Sequence, residues 1–407
     1  MKCGLLGRTL GHSYSPEIHS YLGDYPYTLF EKEPEDVGSF LQNSDFTAIN
    51  VTIPYKKDVM PYCAELTDCA KKMGAVNTIV RRKDGSLIGH NTDYFGLHYT
   101  FKRMGVPLDR KKVLVLGSGG ASVTTVIVLK ELGADVVIIS RTGEHNYTNL
   151  HQHADAAAIV NTTPVGMYPN AGVSPVDLDM FPKLECVLDI IYNPARTKLL
   201  LDAAERNIPC ENGLWMLVAQ AKEAAEWFTG TQISDDVIPE IYEKMCRRME
   251  NIVLTGMPGC GKSTVGKLLA KELNREFVDT DAQIIKEAGM PIPEIFEKLG
   301  EDGFRKIETQ VLAKLGQKSC QVIATGGGCV TKAENYPLLH QNGTIYWIKR
   351  DITSLPTNGR PLSQAGKLEE MFQIRKPLYE HFADHIVSND SSLSNIVESI
   401  LKGRNDK

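Results

Sequence analysis

A glycine-rich motif at residues 256–263 constrains the fold of this chain more than any other feature. An apolar run at residues 252–254 leads into Gly256, and the sequence Gly-Lys-Ser follows at 261–263 after four intervening residues. This is the pattern G-x-x-x-x-G-K-[ST], in which a buried strand turns into a helix around a bound phosphate. The C-terminal part is therefore predicted to be a P-loop α/β domain with a parallel sheet that binds a nucleoside triphosphate.

Each part of this loop has a predicted partner. Lys262 is expected to reach the β- and γ-phosphate oxygens, and Ser263 is expected to ligate Mg²⁺. The next predicted strand ends at Asp279 and Asp281, which lie on the same side of an extended chain. We expect one carboxylate in the Mg²⁺ shell and the other at the hydroxyl that accepts the phosphoryl group. The candidate ATP-binding residues of the loop are Gly259, Cys260, Gly261, Lys262, Ser263 and Thr264.

The bulk properties limit the remaining possibilities. A chain of 407 residues with 42% hydrophobic and 23% charged residues predicts two or three globular domains. The net charge of −5 gives no indication of a nucleic-acid partner, and no segment reads as a signal peptide or membrane span. Nine scattered cysteines without a C-x-x-C motif favour reduced thiols and a cytoplasmic location. The partners expected are small-molecule substrates, and the oligomeric state is not indicated.

A second glycine-rich turn occurs in "VLVLGSGGAS", where Gly117 and Gly119 would let the backbone approach a pyrophosphate at a helix N-terminus. The next strand ends in "IISRT", so Arg141 stands where an NAD-selective domain carries an acid. An arginine there suits a 2′-phosphate and predicts NADPH or NADP⁺. A plain tight turn and a solvated strand-end charge are the alternatives. The candidate cofactor-binding residues are Gly117, Ser118, Gly119, Gly120, Ala121, Ser140, Arg141 and Thr142.

Polar motifs accumulate in the first hundred residues. They are "GHSYSP", "NVTIPYK", "GAVNT" and "HNTD", and "DIIYNPARTKLL" and "NGLWMLVAQA" follow later in the chain. Taken singly, these serines, asparagines and charges read as helix caps or surface residues. Together, and in this order ahead of a dinucleotide fold, they resemble the shikimate dehydrogenase family over residues 1–245.

This resemblance implies an α/β substrate domain, a Rossmann-like NADP domain and a cleft in which Lys56 and Asp93 are catalytic. Reducing a ketone by hydride leaves charge on the oxygen, so a positioned proton donor is required, and a lysine beside a carboxylate can supply it. The residues that the resemblance assigns to the substrate are Ser13, Ser15, Thr52, Lys56, Asn77, Asp93, Tyr192 and Gln220.

Further motifs follow the phosphate loop. They are "EDGFRKIE" with Arg305, "VIATGGG" with Gly327, "NGRPLS" with Arg360 and "IRKPLYEHFA" with Arg375. Singly, these arginines read as surface charges. In this order they resemble shikimate kinase over about residues 251–400.

By this second resemblance, the kinase substrate is held through its carboxylate, which arginine pairs with in bidentate fashion. Arg360 would lie in a mobile lid and touch ATP. The residues implied to bind shikimate are Asp281, Arg305, Gly327 and Arg375, and those left for the metal are Ser263 and Asp279.

The leading hypothesis is a bifunctional enzyme of aromatic amino acid biosynthesis. It would reduce 3-dehydroshikimate to shikimate with NADPH and then phosphorylate shikimate to shikimate 3-phosphate with ATP. The alternatives are a quinate or broad polyol dehydrogenase in the N-terminal half, and a non-catalytic regulator that senses these ligands. The predicted domains are residues 1–100 (joined by the helices near 214–245), 101–245 and 250–407.

The chain departs from the family patterns in two places. Barely twenty residues separate "SRT" at 140–142 from "VNTTPVG" at 161–167, where a longer helix and strand are usual. The second basic residue often found after the Arg141 position is here His145. In the kinase part, the lid is short and lacks an arginine around residues 353–356. We expect a looser adenosine pocket and altered ATP contacts from these changes.

Overall fold

The structure is a computed structural model that describes residues 1–11, 13–355, 365–390 and 392–405. These residues form two compact units. The first comprises residues 1–166, 173–192 and 202–245, and the second comprises residues 167–172, 193–201 and 246–407. Within the described residues, no helix is both long and apolar enough to cross a bilayer. The division into three domains stays a prediction.

The first unit begins with a mixed six-stranded sheet in the order β2-β1-β3-β5-β6-β4. Strand β5 runs antiparallel to β3 and β6, and the other pairs are parallel. The "VNTIVRRKDGSLIGH" segment forms the predicted pair of strands, β5 and β6. The elements are β1 Cys3–Gly7, α1 Ser15–Ser20, β2 Tyr27–Glu31, α2 Pro34–Asn43, β3 Ala48–Val51, β4 Glu65–Leu66, α3 Asp68–Met73, β5 Thr78–Arg81 and β6 Leu87–His90.

A parallel five-stranded sheet follows, in the order β11-β10-β9-β7-β8. The usual Rossmann order is 3-2-1-4-5-6, so this sheet corresponds to 2-1-4-5-6 and lacks the outer third strand within the described residues. This accounts for the short stretch after β8. The elements are α4 Asp93–Met104, β7 Lys112–Leu116, α5 Gly120–Glu131, β8 Asp135–Ile139, β9 Ala158–Asn161, β10 Cys186–Asp189, α6 Lys198–Glu205, β11 Cys210–Glu211, α7 Leu214–Thr229 and α8 Val237–Met249.

Helix α7 is the predicted helix of the "GLWMLVAQAKEAAEWFTG" segment. It begins after Gly213, where an added Cβ would lie 1.9 Å from the carbonyl oxygen of Ile190, so only glycine allows this approach. It ends at Gly230, which adopts the left-handed conformation (φ 69°) typical of a helix C-cap. Ten of its sixteen residues are buried, and Gln220, which is half-buried, lines the pocket described below.

The second unit contains a parallel five-stranded sheet in the order β13-β14-β12-β15-β16. With the two parallel or mixed sheets before it, this confirms the predicted α/β fold class. The elements are β12 Asn251–Thr255, α9 Lys262–Glu272, β13 Glu276–Asp279, α10 Thr280–Ala288, α11 Ile292–Gly316, β14 Gln321–Ala324, α12 Asn335–His340, β15 Gly343–Lys349, α13 Ala365–Phe382, β16 His385–Ser388 and α14 Leu393–Asn405.

Two short segments from earlier in the chain also belong to the second unit. The Asn342 side chain accepts a hydrogen bond from the Ala195 amide (2.8 Å) and donates to the Tyr168 hydroxyl (3.1 Å). The Tyr168 hydroxyl donates to the Gly316 carbonyl (2.7 Å), and the Arg196 guanidinium donates to the His340 carbonyl (2.7 Å). These bonds satisfy backbone groups at the end of α11 and before β15.

Two candidate active sites

A cavity of about 460 Å³ opens in the first unit, between its two sheets. It is lined by side chains at the ends of β1 and β3, at the start of α1 and α4, and along α7. Ala121, at the start of α5, also lines it, so one of the candidate cofactor residues lies beside the candidate substrate residues. The residues predicted to bind the dehydrogenase substrate all line this cavity, namely Ser13, Ser15, Thr52, Lys56, Asn77, Asp93, Tyr192 and Gln220.

Lys56 and Asp93 form an ion pair in this cavity, with 2.6 Å between Nζ and Oδ2. Lys56 follows β3 and Asp93 is the first residue of α4, so two separate elements bring the charges together. The lysine side chain is 30% exposed and the aspartate 11%, which leaves the ammonium the more accessible partner. An ammonium held by one carboxylate and open to the cavity can both donate a proton and stabilise a developing alkoxide.

Amide side chains fix the Asp93 carboxylate. The Asn77 amide donates to Oδ1 of Asp93 (3.1 Å), so the oxygen that does not contact Lys56 is also satisfied. The Asn77 carbonyl oxygen accepts from the Thr92 amide (2.8 Å), and Asn91 accepts from the Asp93 amide (3.0 Å). Asn91 therefore fixes the backbone at the start of α4, while Asn77 holds the Asp93 carboxylate from a separate part of the chain.

The floor of the cavity is neutral. His19 is buried against Tyr27 with ring centroids 4.1 Å apart, and burial lowers the pKa of His19 to about 3. The Tyr27 hydroxyl donates to Oδ1 of Asn50 (2.7 Å). Burial also raises the pKa of Tyr192 above its ordinary value. A polyhydroxylated ligand would therefore meet hydrogen-bonding groups here, with formal charge confined to Lys56 and Asp93.

The glycine-rich turn joins β7 to α5. Gly117 has φ 107°, and a Cβ there would lie 2.9 Å from Oγ1 of Thr162, so this position requires glycine. The Gly117 amide donates to the Ile139 carbonyl (2.8 Å), which places the end of β8 beside the turn. Space around Gly119 and Gly120 is open, and Ser122 is buried against the sheet. Backbone amides at the start of α5 are thus free to face a pyrophosphate.

The phosphate loop of the second unit joins β12 to α9. Gly256, Gly259 and Gly261 have φ values of 141°, 84° and 102°, which L side chains rarely adopt. Lys262 is buried, and its Nζ donates to the carbonyls of Gly256 (2.8 Å) and Met257 (3.1 Å). The ammonium therefore lies within the curve of the loop, as phosphate binding requires.

Ser263 and Asp279 meet at the mouth of this loop. The Ser263 hydroxyl donates to Oδ2 of Asp279 (2.8 Å), while Oδ1 of Asp279 accepts from the Asp281 amide (3.1 Å) and caps α10. Two hard oxygen donors thus lie on one side of the phosphate loop. Mg²⁺ is commonly held in this way, by one or two protein oxygens together with substrate phosphates and water, so this pair fits the ion.

Asp281, Arg305, Gly327 and Arg375 gather around the turn at residues 326–328, after β14. A Cβ on Gly326 would lie 2.9 Å from Oδ1 of Asp281. A Cβ on Gly328 would lie 2.3 Å from the Arg305 guanidinium, so only glycine leaves room for these groups beside the turn. We call the turn and the charged side chains around it the cradle. The Arg375 guanidinium donates to the Gly327 carbonyl (3.2 Å).

The cradle contains a buried ion pair and a carboxylate with a shifted pKa. Arg305 and Glu308, one helical turn apart on α11, form a buried ion pair with 2.7 Å between Nη1 and Oε2. Oε1 of Glu308 and Nε of Arg305 are buried without a hydrogen-bond partner among the described residues. Burial, and then the neighbouring Asp279, raise the pKa of Asp281 above its ordinary value of 3.8. A carboxylate with a raised pKa is better matched to proton transfer near neutral pH.

Comparisons with known proteins decide the family. Residues 5–79 match the family model for the shikimate dehydrogenase substrate binding domain, and residues 258–403 match that for shikimate kinase. Shikimate dehydrogenase (NADP(+)) of Clostridium perfringens is 35% identical over 267 residues, covering 60% of this chain and 98% of the relative. This chain belongs to the shikimate dehydrogenase family. It also carries a shikimate kinase domain, and both resemblances seen in the sequence are thereby confirmed.

Solved structures agree with the dehydrogenase assignment. A chorismate mutase/shikimate 5-dehydrogenase fusion protein from Clostridium acetobutylicum is 35% identical, with a TM-score of 0.57 over 60% of this chain and 96% of that one. Shikimate 5-dehydrogenase from Thermus thermophilus, in complex with NADP(H) and shikimate, is 27% identical, with a TM-score of 0.55 over 60% of this chain and 99% of that one.

The structure brings the predicted substrate residues of the dehydrogenase together around one cavity, and those of the kinase together around the turn at residues 326–328. Of the candidate cofactor residues, Ala121 lines the dehydrogenase cavity, whereas Arg141 is exposed at the end of β8. The roles of these residues stay predictions. Arg360, predicted to touch ATP, lies outside the described residues, as does the rest of segment 356–364. Cys260, within the phosphate loop, is buried.

Several residues near the sites were missed at the sequence level. His19 and Asn50 line the dehydrogenase cavity, and the buried Tyr379 donates its hydroxyl to the Gly327 carbonyl. Glu308, which pairs with Arg305, was missed as well. It is the one of these residues that the sequence could have indicated, because "RKIE" places its carboxylate three residues after Arg305 on a helix.

Proposed function

We propose that this chain catalyses two consecutive reactions, the NADPH-dependent reduction of 3-dehydroshikimate and the ATP-dependent phosphorylation of the resulting shikimate. The observation that carries the proposal is that one chain contains two separate groups of site residues. One is the Lys56–Asp93 pair beside a glycine-rich turn, and the other is the acceptor cradle beside a phosphate loop. The product of the first proposed reaction is the acceptor of the second.

In the dehydrogenase site, a nicotinamide cofactor, when bound, would supply hydride to the carbonyl carbon. Lys56 donates a proton to the carbonyl oxygen as charge develops there, so the alkoxide is neutralised as it forms. Asp93 orients the ammonium, and Asn77 keeps the carboxylate in position. The neutral groups of the cavity, including Ser13, would bind the hydroxyls and carboxylate of the substrate.

The glycine-rich turn supports the cofactor assignment. Residues 117–121 would hold the pyrophosphate at the N-terminus of α5, and residues 140–142 would contact the adenosine ribose. Arg141 is exposed at the end of β8, beside the turn, and an arginine in this place accommodates a 2′-phosphate.

In the kinase site, Arg305 and Arg375 would pair with the substrate carboxylate, and Asp281 would accept the proton of the attacking hydroxyl. The backbone amides at residues 259–264 would cradle the phosphates, with Lys262 stabilising negative charge on the oxygens of the transferred group. Ser263 and Asp279 would hold Mg²⁺, which neutralises phosphate charge when bound. We also propose a cytoplasmic location, as the scattered cysteines of the sequence suggest.

A coupled assay of the purified full chain tests this proposal. With 3-dehydroshikimate, NADPH and ATP–Mg²⁺, absorbance at 340 nm should fall and shikimate 3-phosphate should accumulate. NADPH consumption without phosphorylated product would disprove the kinase half, and phosphorylation of added shikimate without NADPH turnover would disprove the dehydrogenase half. Quinate, offered in place of shikimate in the oxidative direction, should give a much lower kcat/KM.

A further inference from the structure

Helix α13 holds the turn at residues 326–328 by a single carbonyl group. Arg375 and Tyr379 lie about one helical turn apart on this helix. The Arg375 guanidinium donates to the Gly327 carbonyl (3.2 Å), and the Tyr379 hydroxyl donates to the same oxygen. A carbonyl oxygen has two lone pairs, so these two donors together satisfy it. The orientation of the Gly327 peptide group is therefore set from α13.

The two donors differ in what else they can contact. Arg375 is half-buried and is proposed above to pair with the carboxylate of the kinase substrate. Tyr379 is 0% exposed, so it cannot contact a ligand in the cradle. Burial also raises the pKa of Tyr379, which keeps its hydroxyl protonated as a neutral donor. Tyr379 can therefore influence the reaction only through the groups that it touches.

The ring of Tyr379 packs beside the phosphate loop. It stacks on Trp347 of β15, with ring centroids 5.5 Å apart and 20° between the ring planes. Trp347 in turn adjoins the start of the loop, because a Cβ on Gly256 would lie 3.3 Å from its Cδ1 atom. The Tyr379 hydroxyl lies 3.8 Å from the sulfur of Met257, the next residue of the loop. One side chain thus contacts the phosphate loop at Met257 and the turn at Gly327.

The phosphate loop and the turn also pack directly against each other. A Cβ on Gly327 would lie 2.7 Å from Cδ of Pro258, so the two segments approach as closely as glycine allows. Phosphoryl transfer requires the attacking hydroxyl to lie in line with the transferred group, and a small misplacement is costly in rate. The orientation of the Gly327 peptide, which lies between the two segments, therefore bears on the reaction.

Three successive glycines at residues 326–328 leave this turn many backbone conformations unless other groups hold it. The Gly326 amide donates to the Thr280 hydroxyl (2.8 Å), which fixes the start of the turn. A planar trans peptide points its N–H away from its C=O, so donors on the Gly327 carbonyl direct the Gly328 amide to the opposite side. Gly328 adjoins the Arg305 guanidinium. Fixing one carbonyl therefore also fixes a backbone donor beside Arg305.

We propose that Tyr379 is a positioning residue of the kinase site, whose hydroxyl fixes the Gly327 peptide and so holds the phosphoryl acceptor in place relative to the phosphate loop. It acts through the backbone of the turn and through Arg375, which shares the same carbonyl. The ring supplies packing, and the hydroxyl supplies the orientation. This inference rests on the proposed kinase function and on the placement of shikimate at the cradle.

Tyr379→Phe separates these two contributions, because it removes the hydroxyl and keeps the ring that stacks on Trp347. Arg375 still donates to the Gly327 carbonyl in this variant, so the acceptor is not left without a partner and the fold should be retained. The kcat/KM for shikimate should fall about threefold to tenfold, the size expected from the loss of one neutral hydrogen bond. The KM for ATP should stay at the native value, since the phosphate loop keeps its own contacts.

Tyr346→Phe is the matched control. Tyr346 is also buried, precedes Trp347 on β15, and has a hydroxyl without a hydrogen-bond partner among the described residues. The control substitution therefore removes the same atom from the interior of the same unit without touching the turn. Both kcat/KM for shikimate and the KM for ATP should equal those of the native chain.

The measurement is the rate of shikimate 3-phosphate formation by the full chain, with shikimate and ATP–Mg²⁺ varied in turn and no nicotinamide cofactor added. A native kcat/KM for shikimate in Tyr379→Phe would overturn the inference. An equal rise of the KM for shikimate and for ATP, or a variant that no longer folds, would also overturn it, because Tyr379 would then have a packing role only. Absence of shikimate 3-phosphate with the native chain would overturn the proposed kinase function instead.

Discussion

Lys56 and Lys262 are both proposed to act on a negatively charged oxygen, yet the chain holds them differently. Lys56 forms a 2.6 Å ion pair with Asp93 and keeps 30% of its side chain exposed. Lys262 is buried and donates to two backbone carbonyls of its own loop. A carbonyl dipole compensates an ammonium less than a carboxylate does. The first arrangement therefore suits a proton donor, and the second keeps most of its positive charge for phosphate.

The surroundings follow the same division. Among the described residues that line the dehydrogenase cavity, Lys56 and Asp93 carry the charge and the others are neutral polar or apolar, whereas the kinase cradle contains Arg305, Arg375, Asp281 and Glu308 in close proximity. Reduction of a ketone creates charge on one oxygen, but phosphoryl transfer moves a highly charged group, so the second site needs more fixed charge. The same proposed molecule, shikimate, would thus be held by different chemistry in its two sites.

The strongest test of the comparison is Lys56→Ala. Removing the proton donor should lower the dehydrogenase kcat by about 10²- to 10⁴-fold, the range typical of general acid catalysis, and leave kinase activity unchanged. Steady-state rates of both reactions measure this. Lys57→Ala, the exposed neighbour, serves as the control, and an equal loss of both activities in Lys56→Ala would refute a local role.

Lys262→Ala should produce the converse result. Kinase kcat should fall about 10²- to 10³-fold, as when one preorganised electrostatic contact is lost, with NADPH turnover retained. Lys271→Ala, in the last turn of the same helix, should behave as the native chain. A Lys262→Ala variant that phosphorylated shikimate at the native rate would contradict the proposed phosphate contact.

Glu308→Ala would show whether the kinase site depends on its buried charge pair. The buried Arg305 would keep only the exposed carboxylate of Glu301, 3.3 Å away, so the loss should approach the roughly 3–5 kcal/mol of a broken buried pair, and Glu308→Gln should cost less because a hydrogen bond can remain. The urea concentration that halves kinase activity measures the effect, with dehydrogenase activity in the same sample as internal control. A midpoint unaffected by Glu308→Ala would mean that the pair contributes no stability.

The smallest expected effect is on the pH dependence of the kinase. Since Asp281 must be ionised to accept a proton, and burial raises its pKa, kcat/KM should decline on acidification at a pH above the ordinary aspartate value of 3.8. Below that pKa, the rate should fall about tenfold per pH unit. The profile is measured with saturating ATP–Mg²⁺. A constant rate down to pH 4 would exclude Asp281 as the proton acceptor.

Short-range patterns allowed much of both sites to be predicted. Gly117 and Gly256 require backbone conformations or approaches that only glycine permits, and the Asn91 side chain accepts from the Asp93 amide two residues later, so these features are visible in a linear sequence. His19 and Tyr379 were missed because tertiary packing alone brings them to the sites. The short stretch after β8 indicated a missing helix and strand, but only the strand pairing showed that the sheet of the described residues lacks its outer third strand.

The hydrogen bonds of Asn342 and Arg196 have a further consequence for where this chain can be divided. In the sequence, the dehydrogenase motifs end and the kinase motifs begin near Glu250. Yet the unit that contains the phosphate loop also includes residues 167–172 and 193–201. Severing the chain at the junction would deprive Asn342 of the Ala195 amide and the His340 carbonyl of its guanidinium donor. A kinase fragment that starts near Glu250 is therefore expected to be less stable than the same unit within the full chain.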